Sequence, residues 1–357
     1  MNQGEYMYKQ LLPIFLLAIT GGLLFNLLHL PLPWTLGPLV ITIVWKSALK
    51  KTVYWPKKLR NMGMVVLGYM MGSPFTPAVG HQVLQQLPHM LLMTTTLIVL
   101  CLVTGYVSGR YTDVGLANSL IGSLPGGLSQ MSVICEETKG TDVSVVTLMQ
   151  TVRVITVVFV VPVLALHGIT GQMTTAGARL VTPMGSDELP VLFFFLLTIL
   201  GLIKLAKWSR LANVYVLVPV LGTALLVLAG IHAPVLPSPV IALAQIFVGI
   251  RMGSDVDFNS LTNWKTIAVV NLLTVLMVIG LLLGISYAFS LIYPMSFVTA
   301  FISMAPGGMS EMGLTALAAN ADLATVVAYQ LFRLLFILLA GVPVTKWLIL
   351  KTRLMRG

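Results

Sequence analysis

Apolar residues along this chain arrive in long runs separated by short polar stretches. A membrane-crossing helix needs about 20 apolar residues. Runs of that order predict membrane segments at 11–30, 33–49, 58–74, 88–109 and 143–166, and again at 190–206, 212–231, 238–254, 266–291 and 324–346. The first of them is too long for a signal-peptide core and has no small-residue cleavage site after it, so it reads as a membrane helix. Two stretches do not fit. Residues 113–138 and 294–320 are each two short apolar pieces divided by Pro-Gly-Gly. Proline and paired glycines break a helix. Each stretch therefore crosses as a broken helix or turns back as a re-entrant hairpin, and backbone of that kind is tolerated at membrane depth only where protein or water covers it.

The pattern repeats. A shift of 181 residues lays Leu36-Gly37-Pro38-Leu39 on Leu217-Val218-Pro219-Val220, Gly68 on Gly249, and Met71-Gly72-Ser73 on Met252-Gly253-Ser254. Leu124-Pro125-Gly126-Gly127-Leu128-Ser129-Gln130-Met131 falls on Ala305-Pro306-Gly307-Gly308-Met309-Ser310-Glu311-Met312. One residue is then dropped, and Asp142, Gln150 and Arg153 meet Asp322, Gln330 and Arg333. Chance apolar similarity does not keep Gly, Pro, Asp and Arg in register, so the chain reads as a duplication, with one repeat over 1–181 and the other over 182–357.

Composition agrees with the bilayer as solvent: 57% of the 357 residues are hydrophobic and 9% charged, against roughly 25% charged in a soluble domain. The net charge of +10 suggests nucleic acid until the positions are read. The Lys and Arg lie in short loops between apolar runs, as topology determinants do. If both broken stretches re-enter, each half crosses five times and the halves are inverted. Of 21 Lys and Arg, 18 then lie on the cytoplasmic side, Arg153 and Arg333 lie within the membrane, and Arg179 alone lies outside. Full crossing by both stretches gives 13 against 6. The expected fold is an all-α integral membrane protein of two inverted repeats. Each has five transmembrane helices and a Pro-Gly-Gly broken or re-entrant hairpin, and both termini are cytoplasmic. Cys101 and Cys135 stand in no metal or redox spacing, and no two histidines sit at the helical spacing of a metal site, so neither metal nor cofactor is expected.

Inverted repeats with paired breaks mark secondary transporters, whose site lies where the breaks meet. The candidate ligand positions are Gly126, Gly127, Ser129 and Gln130 at one tip and Gly307, Gly308, Ser310 and Glu311 at the other, with Gln150, Arg153, Gln330 and Arg333 on the long helices that follow. Glycine admits a ligand close to the backbone, and the helix after each tip turns free N–H groups toward the centre. The plainer reading of the tips is a tight turn between packed helices. Arg153 and Arg333 each lie 11 residues beyond an aspartate, about 16 Å along a helix and near the bilayer centre. An arginine there costs at least about 2.5–3.5 kcal/mol and must face a partner or a wet cavity. Two roles stand open: a clamp on hairpin carbonyls or a carboxylate, and attraction of an anionic substrate. Glu311, matched by Gln130, is either paired with one of these arginines or the group that couples transport to a proton or cation. Gln150 and Gln330 orient the arginines, and Asp142 and Asp322 are helix N-caps.

The paired Pro-Gly-Gly-[Leu/Met]-Ser-[Gln/Glu]-Met motifs, each followed by Asp and then Gln-x-x-Arg, resemble the AbrB-type membrane family over the whole chain. That family shares only its name with the soluble AbrB regulators that bind DNA. The resemblance implies a plasma-membrane protein in a family whose labels include regulator of gene expression, ammonia monooxygenase and transporter. Its motif usually carries Glu in both repeats, and Gln130 departs from it. More distantly, five crossings plus a hairpin per half is similar to the glutamate–sodium and citrate–sodium symporters, at the level of fold alone.

The expected function is a secondary transporter or exporter of a small organic anion, with that anion and membrane lipid as its partners, no nucleic acid and no enzymatic activity. The alternative is a membrane sensor acting indirectly on gene expression, since the chain has no DNA-reading module. A membrane oxidase is disfavoured, because oxygen chemistry on copper or iron needs clustered ligands.

Overall fold

The computed structural model describes residues 3–49, 53–111, 114–126, 131, 134–136, 138, 141–169, 188–209, 213–256 and 264–354. Among the described residues every regular element is a helix. Within hydrocarbon only a helix or a closed barrel satisfies its own backbone N–H and C=O groups, so long apolar runs fold this way. Five helical stretches are long and apolar enough to cross a membrane: Leu87–Arg110, Val143–His167, Glu188–Ala206, Lys265–Ile292 and Leu323–Lys351. The protein is a membrane protein on that ground.

Each segment expected from the apolar runs contains a helix. In chain order these are α1 (Gln3–Leu27), α2 (Pro33–Leu49), α3 (Lys57–Gly72), α4 (Pro77–Gln85), α5 (Leu87–Tyr111), α6 (Leu116–Ser123), α7 (Val143–Val163), α8 (Glu188–Ala206), α9 (Val214–Leu228), α10 (Ser238–Asp255), α11 (Trp264–Ile292), α12 (Phe297–Met304), α13 (Met309–Ala318), α14 (Leu323–Phe336) and α15 (Val342–Leu354). Two details differ from the sequence expectation. The polar opening is already helical from Gln3, because polar residues propagate a helix that an apolar count ignores. The loop expected between the third and fourth segments contains the short helix α4. A π-turn over Ile337–Gly341 carries α14 into α15, so the helix passes Pro343 without ending.

The chain forms two compact units, each drawn from both halves of the sequence. The first comprises Met1–Leu84, Leu166–Val256 and Gly313–Ala324; the second comprises Gln85–Ala165, Asp257–Met312 and Thr325–Gly357. The boundary at 181 and 182 between the expected repeats lies outside the described residues.

In the first unit α2 packs on α1 and α10, and α3 packs on α9 and α10. Glycine makes the closest of these approaches possible. A Cβ on Gly253 would lie 2.6 Å from the Leu39 carbonyl oxygen and 2.7 Å from Thr42 Cβ. A Cβ on Gly72 would meet the Val220 carbonyl oxygen and lie 2.7 Å from Thr223 Cβ. Gly72 and Gly253, Leu39 and Val220, and Thr42 and Thr223 are each 181 positions apart. Lipid tails are as apolar as leucine, so helices associate through such close backbone contact and not by escape from solvent. The end of α10 is held by Lys46, whose Nζ donates to the carbonyls of Ser254 at 3.2 Å and Val256 at 2.6 Å. The ammonium both satisfies those carbonyls and complements the negative end of the helix.

In the second unit α6 lies on α5, α12 lies on α11, and α7 packs on both α6 and α11. The N-terminus of α7 is capped as expected, Asp142 Oδ1 accepting the Ser144 N–H at 2.8 Å; so is that of α14, whose cap lies in the first unit, Asp322 Oδ1 accepting the Ala324 N–H at 3.1 Å.

Candidate functional site

The proline breaks of both stretches lie in the second unit, while Gly313 to Asn320 of the second stretch fall in the first, and the sequence dictates where the helices before the breaks stop. A residue before proline is pushed out of the helical region. Leu124, before Pro125, has φ −68° and ψ 131°; Ala305, before Pro306, has φ −56° and ψ 130°. Across each proline the chain then closes a three-residue turn, with Gly126 N–H donating to the Leu124 carbonyl at 2.9 Å and Gly307 N–H to the Ala305 carbonyl at 2.8 Å. The short helices α6 and α12 have eight residues each, about 12 Å of rise, and end deep inside the unit.

A helix end leaves its last carbonyls without partners, and in an apolar interior each unsatisfied group costs about 1–3 kcal/mol. The long helices supply the missing donors. On α7, Gln150 Nε2 donates to the carbonyls of Ile121 at 3.3 Å, Gly122 at 2.9 Å and Leu124 at 3.0 Å, and Arg153 Nη1 donates to Leu124 at 2.6 Å. On α14, Gln330 Nε2 donates to Ile302 at 3.1 Å, Ser303 at 3.5 Å and Ala305 at 3.4 Å, and Arg333 Nη1 donates to Ala305. The two sets are built from residue pairs 180 or 181 positions apart. Gln-x-x-Arg is therefore a cap for a helix that ends at a proline, delivered from a neighbouring helix. The guanidiniums meet the C-terminal, negative ends of α6 and α12, where they clamp hairpin carbonyls.

The two sets differ beyond this shared core. Arg333 Nη2 also donates to the Gly307 carbonyl at 2.8 Å and to Gln330 Oε1. Among the described residues, Gln150 Oε1 and Arg153 Nε have no hydrogen-bond partner, although Gln150 is 0% and Arg153 5% exposed. Both arginines and Cys101 on α5 are buried in the same unit.

At the second tip Ser310 and Glu311 are buried in the first turn of α13, and Ser310 Oγ donates to Glu311 Oε1 at 2.9 Å. The Glu311 carboxylate folds back so that a Cβ on Gly308 would collide with Oε2. Gly307 is filled in from behind: a Cβ there would lie 2.7 Å from Met312 Cε and 3.0 Å from Val157 Cγ1. Gly126 likewise backs onto Met131 and Ile337. The first glycine of each motif is thus packed by the motif's own methionine. Gly127, Ser129 and Gln130 lie outside the described residues, as do Lys139, Arg179 and Arg210 of the charge count.

Two asparagines of this region carry structural ties that residue spacing did not single out. Buried Asn271, on α11, donates from Nδ2 to the Met149 carbonyl at 2.6 Å; an amide inside an apolar run was a usable signal. Asn118 Oδ1 accepts the Asp142 N–H at 2.8 Å and ties α6 to the start of α7.

A family model described as "Transition state regulatory protein AbrB" matches residues 34–349. The chain belongs to the AbrB family. Within it, the chain is similar to uncharacterized protein YhjN of Bacillus subtilis (strain 168), 26% identical over 359 residues that cover 95% of this chain and 92% of that protein. It is also similar to the Escherichia coli (strain K12) protein named "Putative regulator AbrB", 26% identical over 327 residues that cover 91% of this chain and 92% of that protein. This AbrB-family chain carries its Gln-x-x-Arg pairs inside the matched span, so the tip caps belong to the part shared with the family.

Proposed function

We propose that this AbrB-family protein is a secondary transporter of a small organic anion across the plasma membrane, built as two inverted repeats of five crossings and a hairpin. The observation that carries the reading is that Arg153 and Arg333, both buried, sit in one unit at the proline breaks of the two stretches, on the Leu124 and Ala305 carbonyls. A charge at membrane depth is costly and marks an ion or substrate path by default. The C-terminal ends of α6 and α12 each offset about half a charge, so about one positive charge remains for a carboxylate to balance. Glu311 balances it when ionised, and an entering anion balances it when Glu311 takes up a proton. That exchange is the proposed coupling, with Glu311 as the group that changes state.

The test is uptake of labelled carboxylates into liposomes holding the purified protein, with and without a pH gradient. Saturable uptake driven by an inward proton gradient is the expected result, and no flux of any carboxylate sinks the reading. Inverted halves are checked separately with single cysteines: 232–237 labels from outside and 204–209 is protected, and the reverse would rule the arrangement out. A regulatory role, which the name of the Escherichia coli relative suggests, is the second reading; ligand binding without flux would favour it.

A further inference from the structure

The two tip caps are alike in sequence and unlike in satisfaction, and the difference has a chemical shape. In the second cap the arginine closes on its own glutamine: Arg333 Nη2 donates to Gln330 Oε1 and to the Gly307 carbonyl. In the first cap the equivalent glutamine acceptor and an arginine donor are both left over. Gln150 Oε1 and Arg153 Nε are fully enclosed, stand three residues apart on α7, and have no partner among the described residues. Residues three apart on a helix share a face, so one partner that offers both an acceptor and a donor would satisfy the two atoms together. A bare carboxylate does not meet this demand: it satisfies Arg153 Nε and presents only lone pairs to Gln150 Oε1. A carboxylate with a hydroxyl or ammonium group on the adjacent carbon meets both.

We infer that Gln150 and Arg153 form the substrate-selecting position of the site, and that the anion it selects is a 2-hydroxy or 2-amino carboxylate, its carboxylate oxygen on Arg153 Nε and its hydroxyl or ammonium on Gln150 Oε1. This rests on the anion-transport reading and narrows it. Arg333, already closed on Gln330 and the tip, is the positioning partner; its charge draws the anion while its hydrogen bonds hold the second tip. The duplication explains why one cap is open: two copies of one residue pair allow one to be kept for the fold and the other for the ligand.

The experiment uses the full-length protein in detergent and measures affinity for matched acids: lactate and alanine against propionate, malate and aspartate against succinate. A hydrogen bond involving a charged group, or the loss of one from a buried acceptor, changes affinity by about tenfold or more. At least one hydroxy or amino acid is therefore expected to bind about tenfold more tightly than its plain partner. Arg153→Lys keeps the charge and a donor for Leu124 but removes Nε–H, and should erase the preference. Arg333→Lys should weaken both members of a pair together. Because Arg153→Lys may be read only in folded protein, its thermal unfolding is recorded in parallel, and a preference unchanged in folded Arg153→Lys overturns the assignment. Equal affinity within every pair would mean that a water fills the Gln150–Arg153 position; it overturns this inference and leaves the anion reading standing. No binding of any acid overturns both.

Discussion

The two compact units bury helices in different ways. The first unit brings backbones together: Gly72 and Gly253 let α9 and α2 come within contact of a glycine Cα. The second unit holds helices that stop short, and pays for each stop with polar ties from Gln150 and Arg153 or Gln330 and Arg333. Both solutions come in two copies. In the first unit the Gly72 and Gly253 contacts match, each on a carbonyl oxygen and on a threonine Cβ at 2.7 Å. In the second they diverge, one cap closed on itself and one left with an unpaired donor and acceptor. A Cβ has no room against a neighbouring carbonyl at either glycine, whereas polar ties can be redistributed to whichever donor or acceptor arrives.

The largest expected effect falls on the scaffold. Gly72→Leu or Gly253→Leu places a side chain on a neighbouring helix's carbonyl and should destabilise the protein by about 3 kcal/mol or more. Thermal unfolding and the yield of monodisperse protein in detergent measure it. Gly201→Leu is the control, because nothing lies within 4 Å of a Cβ there. Equal behaviour of Gly201→Leu and Gly253→Leu would show that close approach is not what the first unit depends on.

Next come the caps. Arg333→Met removes donors from Ala305, Gly307 and Gln330, whereas Arg153→Met removes one from Leu124. At about 1–3 kcal/mol per buried group left unsatisfied, Arg333→Met should lower stability clearly more than Arg153→Met, in paired unfolding curves. Equal losses would contradict the division into a closed and an open cap.

The smallest expected effect on stability belongs to Glu311→Gln, which copies the residue already present at Gln130 and keeps an acceptor for Ser310 Oγ. Unfolding should move by less than about 1 kcal/mol. Uptake should lose its dependence on a proton gradient, and an unchanged pH response would remove Glu311 from the coupling scheme.

Much of the helical plan could be read from the chain, because in hydrocarbon the length of an apolar run is the length of a helix. The stops at Leu124 and Ala305 were legible for a local reason, the steric demand of Pro125 and Pro306 on the residue before them. So were the caps at Asp142 and Asp322, whose partners lie two residues away. The sequence also placed Gln and Arg together on one helix face and required of Arg a buried partner. It did not say which partner. The clamp on hairpin carbonyls and the attraction of an anion remained equal options, since the choice depends on carbonyls 26 to 29 residues away in the chain.

By itself, then, the sequence determined that this is a helical membrane protein with two proline-broken stretches and two deep Gln-x-x-Arg pairs. These are consequences of local sterics and of a solvent that supplies no hydrogen bonds. Only the tertiary structure decided that the guanidiniums meet the ends of α6 and α12, that both arginines share one unit with Cys101, and that one cap is saturated while its twin is not. Those outcomes turn on distances between helices far apart in sequence. A hydrogen bond separates a satisfied atom from an orphan within about an ångström, a difference that residue spacing alone does not encode.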